Sequence, residues 1–214
     1  DHVIALVRTP EKARVLPPGT ETLAGDLTLF KDADLPPVDV VVHLAGVVTA
    51  SSPELYKAIN EDAGAELVAC LERLSWTRRS VLFASSLAAA GPARVGHPHT
   101  EADTLAPIDP YGQPKKRAEA TVSAASFPTT TFRPPLVFGP KDTATVTLYQ
   151  AARNRVGTRV LGEDQRLSWV DVRDAVRGIA AMADDTRPGH HTYYLSRPDA
   201  TRLSILWRTL GEAV

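Results

Sequence analysis

Short apolar runs alternate with longer amphipathic stretches along most of this 214-residue chain. The runs at residues 2–7, 38–44, 80–85 and 129–132 have the length and the β-branched content of strands. Apolar side chains dominate 38–44 and 80–85, which predicts strands buried on both faces, as in a parallel sheet. Further short strands are predicted at residues 21–27, 158–161 and 191–195.

The longest amphipathic stretch begins with Ser52-Pro53-Glu54, the order of an N-cap residue, a first-turn proline and an early acid. Apolar residues then recur at helical spacing, which predicts one long helix over residues 52–75. These residues are Leu55, Ile59, Ala63, Leu67, Leu71 and Leu74. Further helices are predicted soon after residue 8 and at 111–126, 142–153, 175–183 with Asp174 as its cap, and 201–214. Strands that alternate with helices at this spacing indicate a doubly wound α/β sheet.

Composition narrows the class of partner. The 24 basic and 25 acidic residues form no charge block, so neither a nucleic-acid surface nor a membrane surface is predicted, and a small neutral molecule is the expected partner. Cys70 is the only cysteine and lies among apolar residues, which predicts a small buried side chain and fits a reducing, cytoplasmic compartment. No run of about 18 apolar residues predicts a membrane-spanning helix. The length fits one domain, with or without a small appendage.

The candidate chemistry centres on Tyr111 and Lys115, in the run Tyr111-Gly112-Gln113-Pro114-Lys115. On a helix these two side chains share a face one turn apart, although the same spacing also occurs by chance on solvated helices. A phenol titrates near pH ~10 in water, so it needs a nearby cation such as Lys115 to act as an acid or base at neutral pH. Ser86 ends an apolar strand 25 residues earlier (111 − 86 = 25) and is predicted to hold a substrate oxygen against the phenol. Pro114 requires the helix to begin close to it.

Several further features occur in a characteristic order along the chain. They are His43-Leu44-Ala45-Gly46 at a strand end, Asn60 in the long helix, Ser85-Ser86 with Gly91, the interval from Ser86 to Tyr111, Arg133-Pro134 with Gly139-Pro140, and the run from Trp169 to Asp174. In this order they resemble the extended short-chain dehydrogenase/reductase family, the NAD(P)-dependent epimerase/dehydratase group, over essentially the whole chain. The resemblance implies a doubly wound Rossmann-type parallel sheet with a dinucleotide across the carboxyl ends of its strands.

The resemblance also implies a role for each candidate residue. Tyr111 would donate or accept the proton, Lys115 would lower the pKa of Tyr111 and hold the nicotinamide ribose, and Ser86 would polarise the substrate oxygen. The other implied cofactor-binding residues are Asp26 and Leu27 beside the adenine, Ala45 and Gly46 under the cofactor backbone, Asn60, and Pro134 near the nicotinamide.

Some of these residues also have structural alternatives. Asp26 fits a turn acid, and Asn60 fits an amide on a helix surface. The histidines at 97, 99, 190 and 191 are interpreted as loop or surface residues, because no metal-binding spacing is present.

The domain organisation follows from the same resemblance. A dinucleotide-binding domain is expected over residues 1–140, a small C-terminal substrate-binding lobe over 141–168 and 196–214, and a return to the first domain over 169–195. The glycine-rich turn that receives the pyrophosphate in the family belongs with a first strand that would precede residue 1. We therefore expect this chain to be part of a longer protein, the alternative being a protein that does not bind a dinucleotide in the usual way.

The cofactor prediction depends on Arg8. The second strand of the family pattern ends here with Val7-Arg8 and lacks the acid that bonds a ribose 2′-hydroxyl. Because a guanidinium suits a 2′-phosphate, NADP(H) is predicted in preference to NAD(H).

The substrate prediction rests on three departures from the sugar-nucleotide enzymes of the family. Leu87-Ala88 stand where its dehydratases have an acidic pair, and Leu136 and Leu167 stand where its epimerases have an asparagine and an arginine. An apolar wall favours an apolar ketone, aldehyde or secondary alcohol, and therefore a reductase. A nucleotide-sugar epimerase and a non-catalytic NADP-binding protein are the alternatives. A homodimer through residues 52–75 and 111–126 is also implied by the resemblance.

Overall fold

The computed structural model describes residues 2–31, 35–76, 80–94, 96–140, 142, 145–154 and 165–212. Their strands are β1 (Ile4–Val7), β2 (Glu21–Ala24), β3 (Val40–His43), β4 (Ser80–Ala84), β5 (Thr129–Arg133), β6 (Leu136–Phe138), β7 (Arg166–Leu167), β8 (Trp169–Asp171), β9 (His190–Tyr194) and β10 (Thr201–Arg202). Their α-helices are α1 (Pro10–Ala13), α2 (Pro53–Lys57), α3 (Ala63–Arg73), α4 (Gly112–Ser123), α5 (Val146–Arg153), α6 (Val172–Ala183) and α7 (Leu203–Glu212). None of the helices in these ranges is long and apolar enough to cross a membrane.

The main sheet consists of four parallel strands in the order β3-β4-β5-β9. Its register sets Val42 opposite Leu82, and Leu82 opposite Thr130. Parallel neighbours need a crossover connection, and α3, α4 and α6 provide crossovers between these strands in chain order. The predicted doubly wound α/β fold is confirmed, and the carboxyl ends of the strands form one edge of the sheet.

Both faces of the main sheet are covered at β4. Alternate residues of this strand point to opposite faces and enter two different clusters. Val81 and Phe83 pack with α3 and α4 on one face, in a cluster that contains Leu67, Leu71 and Val122. Leu82 packs on the other face with Phe132 and Met182, the latter from α6. Cys70 is fully buried in the first cluster, as predicted.

The remaining strands form three two-stranded sheets. β1 pairs with β2 and β6 with β8 in parallel, whereas β7 and β10 are antiparallel. The sequence did not predict β6, β7, β8 or β10, because two or three residues are too few to show an alternating pattern. The strand predicted at 158–161 lies outside the described residues.

β3 differs from its prediction. Residues 38–44 were expected to be buried on both faces, but Val42 is 40% exposed and Leu44 is 60% exposed. The expectation is wrong for one face. Val41 packs against the first cluster and His43 is buried, but on the opposite face only Val40 packs against the cluster formed with α6, so Val42 in this edge strand is exposed.

The predicted helix over residues 52–75 is divided into three segments. Ser52 caps α2 as predicted, since its Oγ accepts the N–H of Leu55 at 3.3 Å. A π-helical turn, Ala58–Asp62, then separates α2 from α3. Such turns insert an extra residue and frequently lie at functional sites. This turn buries Asn60, which is 2% exposed, so the alternative of a surface amide is wrong.

The late helix α6 begins earlier than predicted. Its cap is Asp171, whose carboxylate accepts the N–H of Arg173 at 2.8 Å, and the predicted cap, Asp174, lies in the first turn instead. The prediction is wrong because β8 runs into the helix without a linker, so the earlier of the two aspartates occupies the N-cap.

Candidate active site

The candidate site lies where β4 ends against the first turn of α4. Asp109 Oδ1 accepts the backbone N–H groups of Tyr111 and Gly112, at 2.9 and 2.7 Å, and so starts the helix. Pro114 therefore falls in the first turn, as its ring requires. A Cβ atom on Gly112 would collide with the carbonyl oxygen of Ala88. Glycine thus permits the close approach that brings Tyr111 to the turn after Ser86.

Ser86 and Tyr111 lie together, although they are 25 residues apart in the chain (111 − 86 = 25). The Ser86 hydroxyl caps the short 3₁₀ turn Leu87–Ala89 by accepting the N–H of Ala88 at 3.1 Å. It also lies close enough to the phenol of Tyr111 to influence the pKa of that group. Burial raises the pKa of Tyr111, and the Ser86 hydroxyl acts in the opposite direction. At neutral pH the phenol is therefore protonated and able to donate.

Lys115 lies one turn further along α4 and is only 3% exposed. Its Nζ donates to the carbonyl oxygen of Ala84 at 2.8 Å and lies 5.3 Å from the centre of the Phe83 ring. Burial lowers the pKa of Lys115 from 10.5 to about 8, and the Glu119 carboxylate opposes that change. The pKa of Tyr111 is raised rather than lowered, so the influence of Lys115 on it stays a prediction.

Glu119 was not among the predicted site residues, yet it lies on the same face of α4 as Tyr111 and Lys115. Its Oε1 accepts the hydroxyl of Ser85, and its carboxylate forms a bidentate ion pair with Arg133, whose Nη2 lies at 2.7 Å. The spacing was available in the sequence, because positions 111, 115 and 119 repeat at four-residue intervals. The ion-pair partner of Glu119 could not be predicted from this spacing, since Arg133 lies on β5.

Arg133 connects this pair to the last strand of the sheet. Its Nη1 donates to the hydroxyl of Tyr194 at 3.1 Å, and its guanidinium lies 5.1 Å from the centre of that ring. The backbone N–H of Tyr194 donates to Glu101, and the His99 ring stacks on Tyr194 at 6.3 Å. The loop before α4 is thus attached to the end of β9.

The four histidines of the sequence analysis differ in exposure and in the element on which they lie. His97 is exposed in the loop, as predicted, and His99 is partly buried there. His190 and His191 are partly buried in β9, which begins at His190, one residue before the predicted strand. Among the residues that the structure describes, no group of three or more His, Cys, Asp or Glu side chains could hold a metal ion.

Gly46 and Asn60 lie beside Lys115. A Cβ atom on Gly46 would lie 3.0 Å from Asn60 Oδ1 and 3.1 Å from Lys115 Nζ. The Asn60 amide binds both backbone groups of Val47, accepting at 3.0 Å and donating at 2.9 Å. The strand-end loop that contains Ala45 is therefore fixed, with the exposed backbone of Gly46 next to a buried ammonium.

Pro134 is also brought to this edge, whereas the remaining predicted cofactor residues follow the strands of the β1–β2 sheet. The carbonyl oxygen of Pro134 accepts the N–H of Leu87 at 2.9 Å, directly after Ser86. Arg8 and Asp26 are exposed beyond the carboxyl ends of β1 and β2. Leu27 packs partly against the core beneath α3.

An apolar cavity of about 220 Å³ lies between β6, β7 and α7. It brings together Leu136 and Leu167, two of the leucines from which an apolar substrate was predicted. The complete lining is Leu136, Leu167, Leu203, Leu206, Trp207 and Leu210.

The parallel sheet and its two helix layers define a Rossmann-type α/β protein. Residues 3–195 match the model of the NAD dependent epimerase/dehydratase family, and the chain belongs to that family. The predicted resemblance is thereby confirmed.

One curated relative is the ceramide reductase of Caulobacter vibrioides (strain NA1000 / CB15N). It is 28% identical over 183 residues, which cover 79% of this chain and 52% of that protein. The chain therefore spans about half the length of this relative.

Two solved structures illustrate the similarity of the fold. MoeE5 in complex with UDP-glucuronic acid and NAD has a TM-score of 0.80 and 22% identity, covering 100% of this chain and 74% of that chain. RMD from Pseudomonas aeruginosa complexed with NADPH has a TM-score of 0.73 and 18% identity, covering 95% and 78%.

Proposed function

We propose that this chain carries the catalytic centre of an NAD(P)-dependent reductase for apolar ketones or aldehydes, acting reversibly. The observation that carries the proposal is the placement of Ser86 beside the protonated, partly buried Tyr111 at the carboxyl edge of the sheet, where Gly112 of α4 approaches the carbonyl oxygen of Ala88. Membership of a family of NAD-dependent enzymes supports the class of reaction.

The proposed mechanism assigns one task to each side chain. A bound nicotinamide supplies or accepts the hydride. Ser86 binds the carbonyl oxygen of the substrate and orients it towards Tyr111. Tyr111 gives its proton to that oxygen as the carbonyl carbon is reduced, and takes the proton back when an alcohol is oxidised.

Gly46 and Lys115 support the binding of a nicotinamide cofactor. A Cβ atom at Gly46 would crowd Asn60 Oδ1 and Lys115 Nζ, so glycine keeps the exposed backbone at this point close to the Lys115 ammonium. Of the three donors of that ammonium, one is used by Ala84 O, so others are available for ribose hydroxyl groups. We assign Asp26 and Leu27 to the adenine and Arg8 to a 2′-phosphate, which favours NADP(H). A KM for NADH below that for NADPH would overturn this preference.

The apolar cavity supports the assignment of the substrate class. An engineered apolar cavity of roughly 150 Å³ already binds benzene, so a cavity of about 220 Å³ is large enough for part of a hydrocarbon chain. The relative named a ceramide reductase also favours the reduction of a molecule with long apolar chains.

A cofactor-oxidation screen tests the proposal. The purified protein is mixed with NADPH or NADH and a series of methyl ketones and aldehydes of increasing chain length, with UDP-glucose as the polar comparison. We expect net loss of reduced cofactor with the apolar carbonyls, and a kcat/KM that rises with chain length. Isomerisation of a UDP-sugar without net loss of cofactor would identify an epimerase instead. Turnover of neither class would favour a non-catalytic NADP-binding protein.

A further inference from the structure

The end of β4 contacts one face of α4 at three successive residues. Ala84 accepts a hydrogen bond from Lys115, Ser85 donates one to Glu119, and the Ser86 hydroxyl lies beside the phenol of Tyr111, whose pKa it lowers. The Glu119 contact thus holds the residue between the two contacts that involve the proposed catalytic side chains.

Glu119 is itself held in an unusual environment for a carboxylate. Its side chain is 8% exposed and that of its partner Arg133 is 6% exposed, and Arg133 Nε lies 3.0 and 3.2 Å from the two carboxylate oxygens. Removing two charges from water costs several kcal/mol per ion, so a buried ion pair is weak evidence for stabilisation of a fold. A role in the geometry of the site accounts better for a pair in this position.

We propose that Glu119, held by Arg133, is a positioning residue of the candidate site: it fixes residues 84–86 against α4 and places a negative charge one turn from the Lys115 ammonium. The proposal rests on the proposed function, because it concerns the placement of Ser86 and Lys115 for that reaction. Tyr111, Lys115 and Glu119 then form one functional series along a single helix face.

The charges around Lys115 make the electrostatic part of the proposal testable. From β3, the buried His43 faces it, and burial followed by the charge of Lys115 lowers the His43 pKa to about 4, so this ring is neutral at pH 7. Tyr111 is protonated at that pH. The Glu119 carboxylate is the group that raises the pKa of Lys115 against burial. Loss of its charge is therefore expected to lower that pKa below about 8.

Three groups face Glu119 from the strands packed against α4. They are Arg133 from β5, and Tyr194 and His190 from β9. Replacing Glu119 alone leaves Arg133 buried without its counter-charge, which destabilises the fold. The variant Glu119→Gln is therefore measured together with the double variant Glu119→Gln/Arg133→Met, in which both charges are removed.

The first test is an NMR titration of lysine side chains labelled with ¹³C at Cε. The Lys115 signal is identified by its loss in Lys115→Met. We expect the pKa of Lys115 to fall in Glu119→Gln and in the double variant, and to stay unchanged in Arg117→Gln, which alters an exposed cation on the same helix. An unchanged pKa in both Glu119 variants, or an equal change in Arg117→Gln, would overturn the electrostatic role.

The second test removes the positioning contact without changing any charge. Ser85→Ala deletes the hydroxyl bonded to Glu119 and leaves the ion pair with Arg133 intact. We expect kcat to fall by about tenfold to a hundredfold, with a small change in the KM for cofactor, because modest misplacement of reacting groups has effects of this size. An unchanged kcat would overturn the positioning role. If the unaltered protein reduces no carbonyl compound, the proposed function fails, whereas the titration still decides the role of Glu119.

Discussion

The two faces of α4 carry similar charges in different surroundings. On the inner face Glu119 pairs with Arg133 at 2.7 Å, and on the outer face Arg117 pairs with Glu61 at the same distance. The inner side chains are 8% and 6% exposed, whereas those of Arg117 and Glu61 are 51% and 17% exposed. Only the inner face holds a lysine whose pKa is lowered to about 8. Burial, and not the distance between charges, therefore separates the candidate site from the ordinary surface of the helix.

The largest expected effect follows from removing the phenol on the inner face. Tyr111→Phe deletes the proposed proton donor and keeps the ring, so kcat is expected to fall by about 10²–10⁴-fold with the fold intact. Steady-state turnover and circular dichroism measure the two quantities. Tyr149→Phe, which alters an exposed tyrosine on α5, serves as the control. Retained turnover in Tyr111→Phe would refute the catalytic role.

Breaking the inner ion pair is expected to cost more stability than any change on the outer face. Arg133→Met leaves the Glu119 carboxylate buried without its partner, so the free energy of unfolding should fall by about 3–5 kcal/mol. Denaturant unfolding measures it, with Glu119→Gln/Arg133→Met as the comparison. We expect the double variant to recover most of the loss, because both buried charges are gone. A loss of less than 1 kcal/mol in Arg133→Met would show that water reaches the pair.

The buried ammonium of Lys115 should make stability depend on pH. The unfolded chain holds the Lys115 proton up to pH 10.5 and the folded chain only up to about pH 8. Between these values the unfolded state binds more protons, so stability rises with pH, whereas below pH 8 the full penalty is present. We therefore compare the free energies of unfolding of Lys115→Met and of the unaltered protein. The variant value minus the unaltered value should decrease by about 3 kcal/mol as the pH rises through this window.

Lys116→Met provides the matched control for that titration, since Lys116 is exposed on the same helix. The difference in free energy of unfolding between Lys116→Met and the unaltered protein should be independent of pH over the same range. A pH-independent difference for Lys115→Met as well would mean that the ammonium remains hydrated in the folded protein.

A smaller effect is expected where α4 meets the turn after Ser86. Gly112→Ala places a methyl group against the carbonyl oxygen of Ala88, and overpacking of this kind costs about 1–3 kcal/mol. Because the helix start must move, Tyr111 separates from Ser86 and kcat should fall as well. Thermal unfolding and turnover measure both effects, and Ala120→Ser, an exposed change on α4, is the control. Unchanged stability and turnover would show that residue 112 and the carbonyl oxygen of Ala88 are not in close contact.

The sequence predicted the parts of this site that depend on local patterns. Apolar runs located the strands of the main sheet, and four-residue spacing placed Tyr111 and Lys115 on one helix face. Glu119 has the same spacing, but its burial depends on Arg133, which comes from β5. A contact between elements leaves no local signal, so a carboxylate on a helix is indistinguishable from a surface acid until the fold brings its partner.

The π-helical turn at Ala58–Asp62 escaped prediction for a related reason. Its apolar residues continue the helical pattern of the segments on both sides, so the periodicity indicated one helix. The inserted residue turns Asn60 inwards, where its amide fixes Val47 and the loop beside Gly46. The signal available in the sequence was the position of Asn60, a polar residue on the helix face that carries Ala63 and Leu67.

The smallest expected effect belongs to the exposed pair on the outer face of α4. Arg117→Gln removes the ion pair with Glu61, and exposed pairs contribute about 0–1 kcal/mol because water and salt screen them. The loss of stability should disappear at high salt, whereas the loss in Arg133→Met should persist, since its pair is shielded from solvent ions. Denaturant unfolding at low and at high salt measures both. A loss in Arg117→Gln as large and as insensitive to salt as that in Arg133→Met would remove the distinction between the two faces.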